Sequence, residues 1–180
     1  LAAVAAGIVV NVESMLQIMH LCDAAKQLDL PARVALRVNP AFELKASGMK
    51  MTGGAKPFGI DSEQIPAAVA LCRQQGIEPE GLHLFTGSQN LKPEAICEAH
   101  SGVLRLAAEL ITDNQLQLRF INIGGGLGIP YFPGEKPLQL ESIAANLQQE
   151  LDQIQPLIAT TDIVMELGRY LVGEAGLYVC

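Results

Sequence analysis

The chain has 180 residues, 49% of them hydrophobic and 17% charged, with 19 acidic against 12 basic side chains and a formal net charge of −7. That length and balance describe one sizeable globular domain, and the acidic excess offers no footprint for a nucleic-acid backbone or an anionic lipid surface. No apolar run nears the roughly 20 residues of a membrane span, and no segment at the start resembles a signal peptide. Cys22, Cys72, Cys97 and Cys180 are widely spaced, with no C-x-x-C pair, so the expectation is a cytoplasmic protein with reduced thiols.

In chain order, GIVVNVE (7–13) reads as a strand, and Ser14 as the cap of a helix that buries Leu16, Met19, Cys22 and Ala25. RVALRVNP (33–40) is a second strand, stopped by Pro40. The glycine-rich connection SGMKMTGGAKPFGI leads to a short strand near residues 58–60, after which Asp61 and Gln64 have the spacing of a capping box. Ile65, Val69 and Cys72 then share one helical face, and GLHLFTGSQ (81–89) is a strand entering a loop. A helix from about Pro93 carries Ile96, Val103, Ala107 and Leu110; LRFINIGGG (118–126) is the next strand. After a loop punctuated by prolines, Ile143, Leu147, Leu151 and Ile154 mark an amphipathic helix, and TDIVMELGRY (161–170) the last clear strand.

Strands of β-branched residues alternating with helical periodicity, with no hairpin signal between them, predict a parallel sheet covered by helices on both faces. The fold class is therefore α/β, and a partial (β/α)8 TIM-type barrel lacking its first strands explains the pattern best. The chain starts at Leu1 inside a helical phrase and stops at Cys180 inside an extended one, so it reads as a fragment. Residues 1–172 are expected to form the partial barrel, and VGEAGLYVC (172–180) to lead, from 173 on, into a C-terminal β domain.

Three clusters fall just after strands: GSQ, GGG and LGR. In parallel barrels that is the end where sites are built, and backbone N–H groups of small residues there hold phosphates. In the run Gly124, Gly125 and Gly126, the amides near Gly125 and Gly126 fit such a cradle; a tight loop demanding positive φ is the other reading. Pro130 and Pro133 follow them and no GK[ST] does, which argues against dinucleotide and nucleotide loops. Arg169 and Ser88 are candidates for the same anion, Arg169 otherwise being a surface or ion-pair residue. Glu166 ends an apolar run and needs a partner, either Arg37 or a ligand cation. His83 and Phe85 share a strand face, as core residues or with Phe85 stacked on a flat ligand. His20 and His100 lie on predicted helices and read as solvent-facing or satisfied structural residues. No H-E-x-x-H, Cys/His cluster or G-x-S-x-G is present, so zinc hydrolysis and a hydrolase nucleophile find no support.

Taken together, LRVNP, GMKM…FGID, GSQ, NIGGGLGIPY and ELGRYLVGEAG resemble the pyridoxal-phosphate decarboxylases of the alanine-racemase-like barrel class. Diaminopimelate and ornithine decarboxylases belong to that class, and the wording resembles most the branch associated with exosortase loci and carrier-linked amino acids. The resemblance implies pyridoxal 5'-phosphate as cofactor, with Ser88, Gly125, Gly126, Gly168 and Arg169 around its phosphate. Glu166 would face the pyridine nitrogen and Arg37 would lie near the phenolic oxygen. Phe85 falls where those decarboxylases carry a histidine against the ring, and Leu167 replaces the proline of their E-P-G-R. The implied activity is decarboxylation of a diaminopimelate-like or carrier-protein-bound amino acid held in Schiff-base linkage, in a homodimer. The alternative is a pyridoxal-phosphate-binding barrel with a regulatory or racemase role. The Schiff-base lysine and a catalytic cysteine match no position in 1–180, so the fragment alone is expected to be inactive.

Overall fold

The computed structural model describes residues 1–41 and 58–176. Most of the glycine-rich connection after Pro40, including GMKM, and the end of the last extended phrase, 177–180, lie outside the described residues. Six strands alternate with helices: α1 (Ala2–Ala5), β1 (Val9–Val12), α2 (Met15–Leu28), β2 (Arg33–Asn39), β3 (Ile60–Asp61), α3 (Ile65–Gln74) and β4 (Gly81–Leu84). They are followed by α4 (Pro93–Asn114), β5 (Phe120–Asn122), α5 (Leu140–Ile158), β6 (Asp162–Val164) and α6 (Gly168–Val172).

Every strand pairing is parallel, in the order β1-β2-β4-β5-β6, with β3 also on β2. The expected parallel α/β architecture is therefore present. Alternate strand residues Val34, Leu36, Val38, Leu82, Leu84, Ile121 and Ile123 join Ile18, Ile65, Val69, Cys72, Leu104 and Ala107 of the helices in one core. Because successive side chains point to opposite faces, Arg37, His83 and Asn122 face away from that core. They are register neighbours, Arg37 beside His83 and His83 beside Asn122. The second face thus carries a polar row at the site end, where helices on both faces were expected; a barrel puts its helices outside only. Lower on that face the Phe120 ring occupies the place a Gly81 side chain would take.

Local expectations fare unevenly. Ser14 caps α2, accepting from the Gln17 N–H at 3.2 Å, but the buried face is Ile18, Leu21 and Cys22 while Leu16 is 62% exposed. The helix has apolar residues on more than one side, so periodicity did not choose which one meets the sheet. Asp61 makes no cap with its side chain; it accepts from Asn39 Nδ2 at 2.7 Å instead. The predicted faces of α3 and α4 are buried as expected, and on α5 Ile143 is buried while Leu147, Leu151 and Ile154 lie partly buried against the core. The strand read over 161–170 ends at Val164, and 168–172 forms the short helix α6. At the opposite end of the sheet Glu80 accepts from Arg33 at 2.8 and 2.9 Å and from Arg119 at 3.2 Å. The Arg33 hydrogen bond is the main reason the Glu80 carboxyl is held below its usual range. No described helix is long and apolar enough to cross a membrane.

Candidate functional site

The polar row ends on Glu166, two residues beyond the last strand. Its backbone N–H donates to the Gly124 carbonyl at 2.8 Å, and its Oε1 accepts from Asn122 Nδ2 at 2.8 Å. Asn122 Oδ1 accepts from the Gly124 N–H at 2.9 Å, so one amide side chain ties the carboxylate to the glycine turn. The other carboxylate oxygen lies 3.6 Å from His83 Nε2, beyond hydrogen-bond reach, and the Glu166 side chain is 49% exposed. His83 is buried with both ring nitrogens unpartnered among the described residues. Burial, more than any charge nearby, pushes its imidazole below the ordinary histidine range, so the ring is neutral at neutral pH. The unfolded chain takes up that proton near pH 6.5 and the folded chain resists it, so stability is complete above that pH and declines below it. Between pH 6.5 and 5 the unfolding midpoint of the full-length protein is expected to fall, and His83→Gln to reduce the slope by up to about 1.4 kcal/mol per pH unit. An unchanged slope would show that His83 is not buried neutral.

Arg37 does not pair with Glu166. Its Nη1 donates to Glu13 Oε1 at 2.8 Å, the second Glu13 oxygen accepts from the Gly59 N–H at 3.0 Å, and the guanidinium sits 5.3 Å over the Phe58 ring. Sequence reading missed both Glu13 and Asn122. The signal available was spacing: Asn11 and Glu13 in GIVVNVE, like Arg37 and Asn39 in RVALRVN, stand two apart among apolar residues, and Asn122 is a lone amide in FINI.

The side chains excluded from Gly124, Gly125 and Gly126 are excluded by the chain's own backbone. Gly124 and Gly126 have φ of +74° and +107°. A Cβ on Gly125 would run into the Glu166 carbonyl, and one on Gly126 would stand 2.7 Å from the Gly87 carbonyl. The turn therefore nests between the loops that follow β4 and β6. A Cβ on Gly124 would come 3.1 Å from Phe85 Cδ2, so the partly buried Phe85 ring lies against this turn. Beside it opens a cleft lined by Thr86, Gly87, Ser88, Gly125, Gly126 and His100, among others. Among the described residues no acceptor meets the backbone N–H of Gly125 or Gly126.

Gln89, the third residue of GSQ, sits at φ +53°. Its Nε2 donates to the Ile129 carbonyl and its Oε1 accepts from the Ile129 N–H at 3.3 Å and from Arg169 Nη1 at 3.2 Å. The Asn90 N–H donates to the Gly126 carbonyl at 2.8 Å, and the Gly128 N–H to the Asn90 carbonyl at 2.9 Å. The structure thus brings together Ser88, Gly125, Gly126, Phe85 and Glu166. Arg169 and Gly168, both exposed on α6, stand at the rim, with the Arg169 guanidinium 5.8 Å over the Tyr131 ring. His20 is exposed as expected; His100 is not solvent-facing, being 3% exposed, and its Nδ1 is unpartnered among the described residues.

A parallel α/β sheet with a carboxylate, a glycine cradle and an aromatic ring gathered at the ends of its strands defines the class: a barrel-type ligand-binding domain. Residues 2–173 match the family described as pyridoxal-dependent decarboxylase, pyridoxal binding domain. The chain belongs to that family, and its cofactor is pyridoxal phosphate. It is 36% identical over 155 residues to the diaminopimelate decarboxylase of Thermoplasma acidophilum, covering 86% of this chain and 38% of that protein. It is 31% identical over 169 residues to the L-glutamyl-[BtrI acyl-carrier protein] decarboxylase of Niallia circulans, covering 93% of this chain and 40% of the other. Among solved structures, Helicobacter pylori diaminopimelate decarboxylase complexed with L-lysine superposes with a TM-score of 0.73 at 26% identity, covering 89% of this chain and 39% of that one. The M. jannaschii enzyme in co-complex with L-lysine gives 0.77 at 25% identity, over 89% and 38% of the two chains. These neighbours bear out the partial-barrel reading, and the chain spans about 40% of the length of the curated relatives it matches.

Proposed function

We propose that the full-length protein is a pyridoxal-phosphate-dependent decarboxylase acting on an amino acid, either diaminopimelate-like or bound to a carrier protein. The observation that carries this is the Glu166 carboxylate, fixed by Asn122 at the end of the polar row and adjoining the glycine cradle. The residues fit the cofactor. Free N–H groups at Gly125 and Gly126 and Ser88 line a cleft suited to a phosphate, and the His100 ring, whose Nδ1 has no partner among the described residues, lines it too.

In this reading Ser88, Gly125, Gly126, Gly168 and Arg169 hold the phosphate, and Phe85 lies against the ring. Glu166 keeps a proton on the pyridine nitrogen, while Asn122 fixes the carboxylate and the neutral His83 beside it does not compete for its charge. Arg37, braced by Glu13, lies near the phenolic oxygen. Bound pyridoxal phosphate supplies the electron-poor ring that takes up the electron pair left when carbon dioxide departs. The Schiff-base lysine and a catalytic cysteine come from chain outside 1–180, residues from 173 on enter a further domain, and the enzyme works as a cytoplasmic homodimer. The relatives' greater length and the carrier-linked relative support this reading.

Carbon dioxide release by the full-length, cofactor-loaded protein from meso-diaminopimelate and from carrier-linked glutamate tests it. Turnover of either is expected; release from neither, with cofactor bound, would overturn the decarboxylase assignment. Arg169→Ala is expected to weaken cofactor binding by about 1.5–3 kcal/mol, the range for a hydrogen bond to a charged group. An unchanged affinity with an intact fold would return Arg169 to its role as brace of Gln89.

A further inference from the structure

The histidine of α4 has no place in the site as the sequence motifs define it. His100 is 3% exposed and its ring makes no hydrogen bond with the described residues; Nδ1 is fully enclosed without a partner among them. Buried imidazole nitrogens are nearly always satisfied, and one that is not points to a missing group. The ring is not embedded in the apolar core. It lines the cleft formed by Thr86, Gly87, Ser88, Gly125 and Gly126, entering from the helix side while the two loops close the other. The walls of that cleft offer donors: the N–H groups of Gly125 and Gly126 are unpaired among the described residues, and the Ser88 hydroxyl is at the same wall. A cavity of donors takes an anion.

We infer that His100 is a fourth wall of the anion cradle, a neutral imidazole that donates a hydrogen bond to the phosphate of pyridoxal phosphate. The inference rests on the phosphate site proposed above and adds to it a residue that lies outside the GSQ, GGG and LGR clusters. Burial, which pushes the imidazole below the ordinary histidine range, keeps it uncharged. A neutral imidazole has one N–H to give, and it satisfies a dianion without adding a buried charge to an apolar helix face. The phosphate in turn gives the ring a partner it lacks among the described residues, on a helix face otherwise formed by apolar residues such as Ile96, Ala99 and Val103.

The test compares two ligands that differ by the phosphate alone. Pyridoxal phosphate and pyridoxal are titrated into the full-length apoprotein, and the ratio of their affinities is measured for the wild type, His100→Gln and His100→Leu. His100→Leu is expected to lose about tenfold to a hundredfold of the preference for the phosphorylated ligand, the range for leaving one such donor out. His100→Gln, which keeps an N–H, should retain most of that preference, and pyridoxal itself should bind all three equally. An unchanged preference in His100→Leu, with Arg169→Ala still losing it, would overturn the role of His100 and leave the phosphate site standing. A wild type that binds both ligands equally would remove the phosphate site and this inference with it. If His100→Leu does not fold, the ¹⁵N shifts of the His100 ring in the wild type decide: they should move with pyridoxal phosphate and not with pyridoxal, and their failure to move with the phosphorylated ligand would overturn the inference.

Discussion

Glu166→Gln is expected to slow the proposed decarboxylation by the full-length protein by about 3–5 kcal/mol in the barrier, a few orders of magnitude in rate, with a much smaller loss of cofactor affinity. The structure separates shape from charge at this position. Asn122 Nδ2 donates to one carboxylate oxygen at 2.8 Å, and the oxygen of a glutamine accepts the same bond, so the side chain stays where it is. What changes is the atom facing outward: an oxygen bearing negative charge becomes an amide that donates. In the role proposed for Glu166, the pyridine nitrogen opposite it would then no longer be held protonated, and the ring would be a poor electron sink. His83 does not substitute, because it is neutral, buried and 3.6 Å away. Turnover and cofactor occupancy measured on one preparation decide the matter; near-normal turnover at full occupancy would remove Glu166 from the ring nitrogen.

Gly126→Ala should lower the unfolding free energy of the full-length apoprotein by roughly 2–4 kcal/mol, combining a positive-φ penalty with the displacement of neighbouring backbone. The residue sits at φ +107°, and the added Cβ would stand 2.7 Å from the Gly87 carbonyl. Neither atom belongs to a flexible side chain, so the loop after β4 must move, carrying Ser88 with it. Gly134→Ala is the matched control. Its φ of +95° is similar but nothing lies within 4 Å of the new atom, so only the conformational cost, about 1 kcal/mol, remains. Urea unfolding midpoints of the two variants give the comparison. Equal midpoints would mean that the nesting of the glycine turn against Gly87 contributes nothing.

These two expectations share a structural cause. The three loops after β4, β5 and β6 form one unit: Glu166 is anchored to Gly124, Asn90 to Gly126 and Gln89 to both Ile129 and Arg169. Gln89, a non-glycine residue at positive φ, is placed to brace the loops. A change in any one of them therefore reaches the carboxylate, the cradle and the rim cation together.

Much of this protein is fixed by local chemistry that a sequence displays. Strand runs such as RVALRVN and the helical faces of α3 and α4 follow from β-branching and apolar period, and the strand-end clusters follow from glycine, whose missing side chain marks close approach wherever it occurs. Those features sufficed for the α/β class, the partial barrel and the family. Tertiary structure decided which groups meet. Periodicity left α2 with two possible buried faces, and packing chose Ile18 over Leu16. Arg37 went to Glu13 rather than Glu166 because the register of parallel strands, which no single strand encodes, sets them side by side. Asn122 became the partner of Glu166, with His83 beside them, for the same reason, and His100 reached the cleft because α4 packs its buried face against loops that lie 10 to 30 residues away in the chain. Local propensity acts within a few residues; a site is assembled across strands, and its pairings appear only once the sheet has set the register.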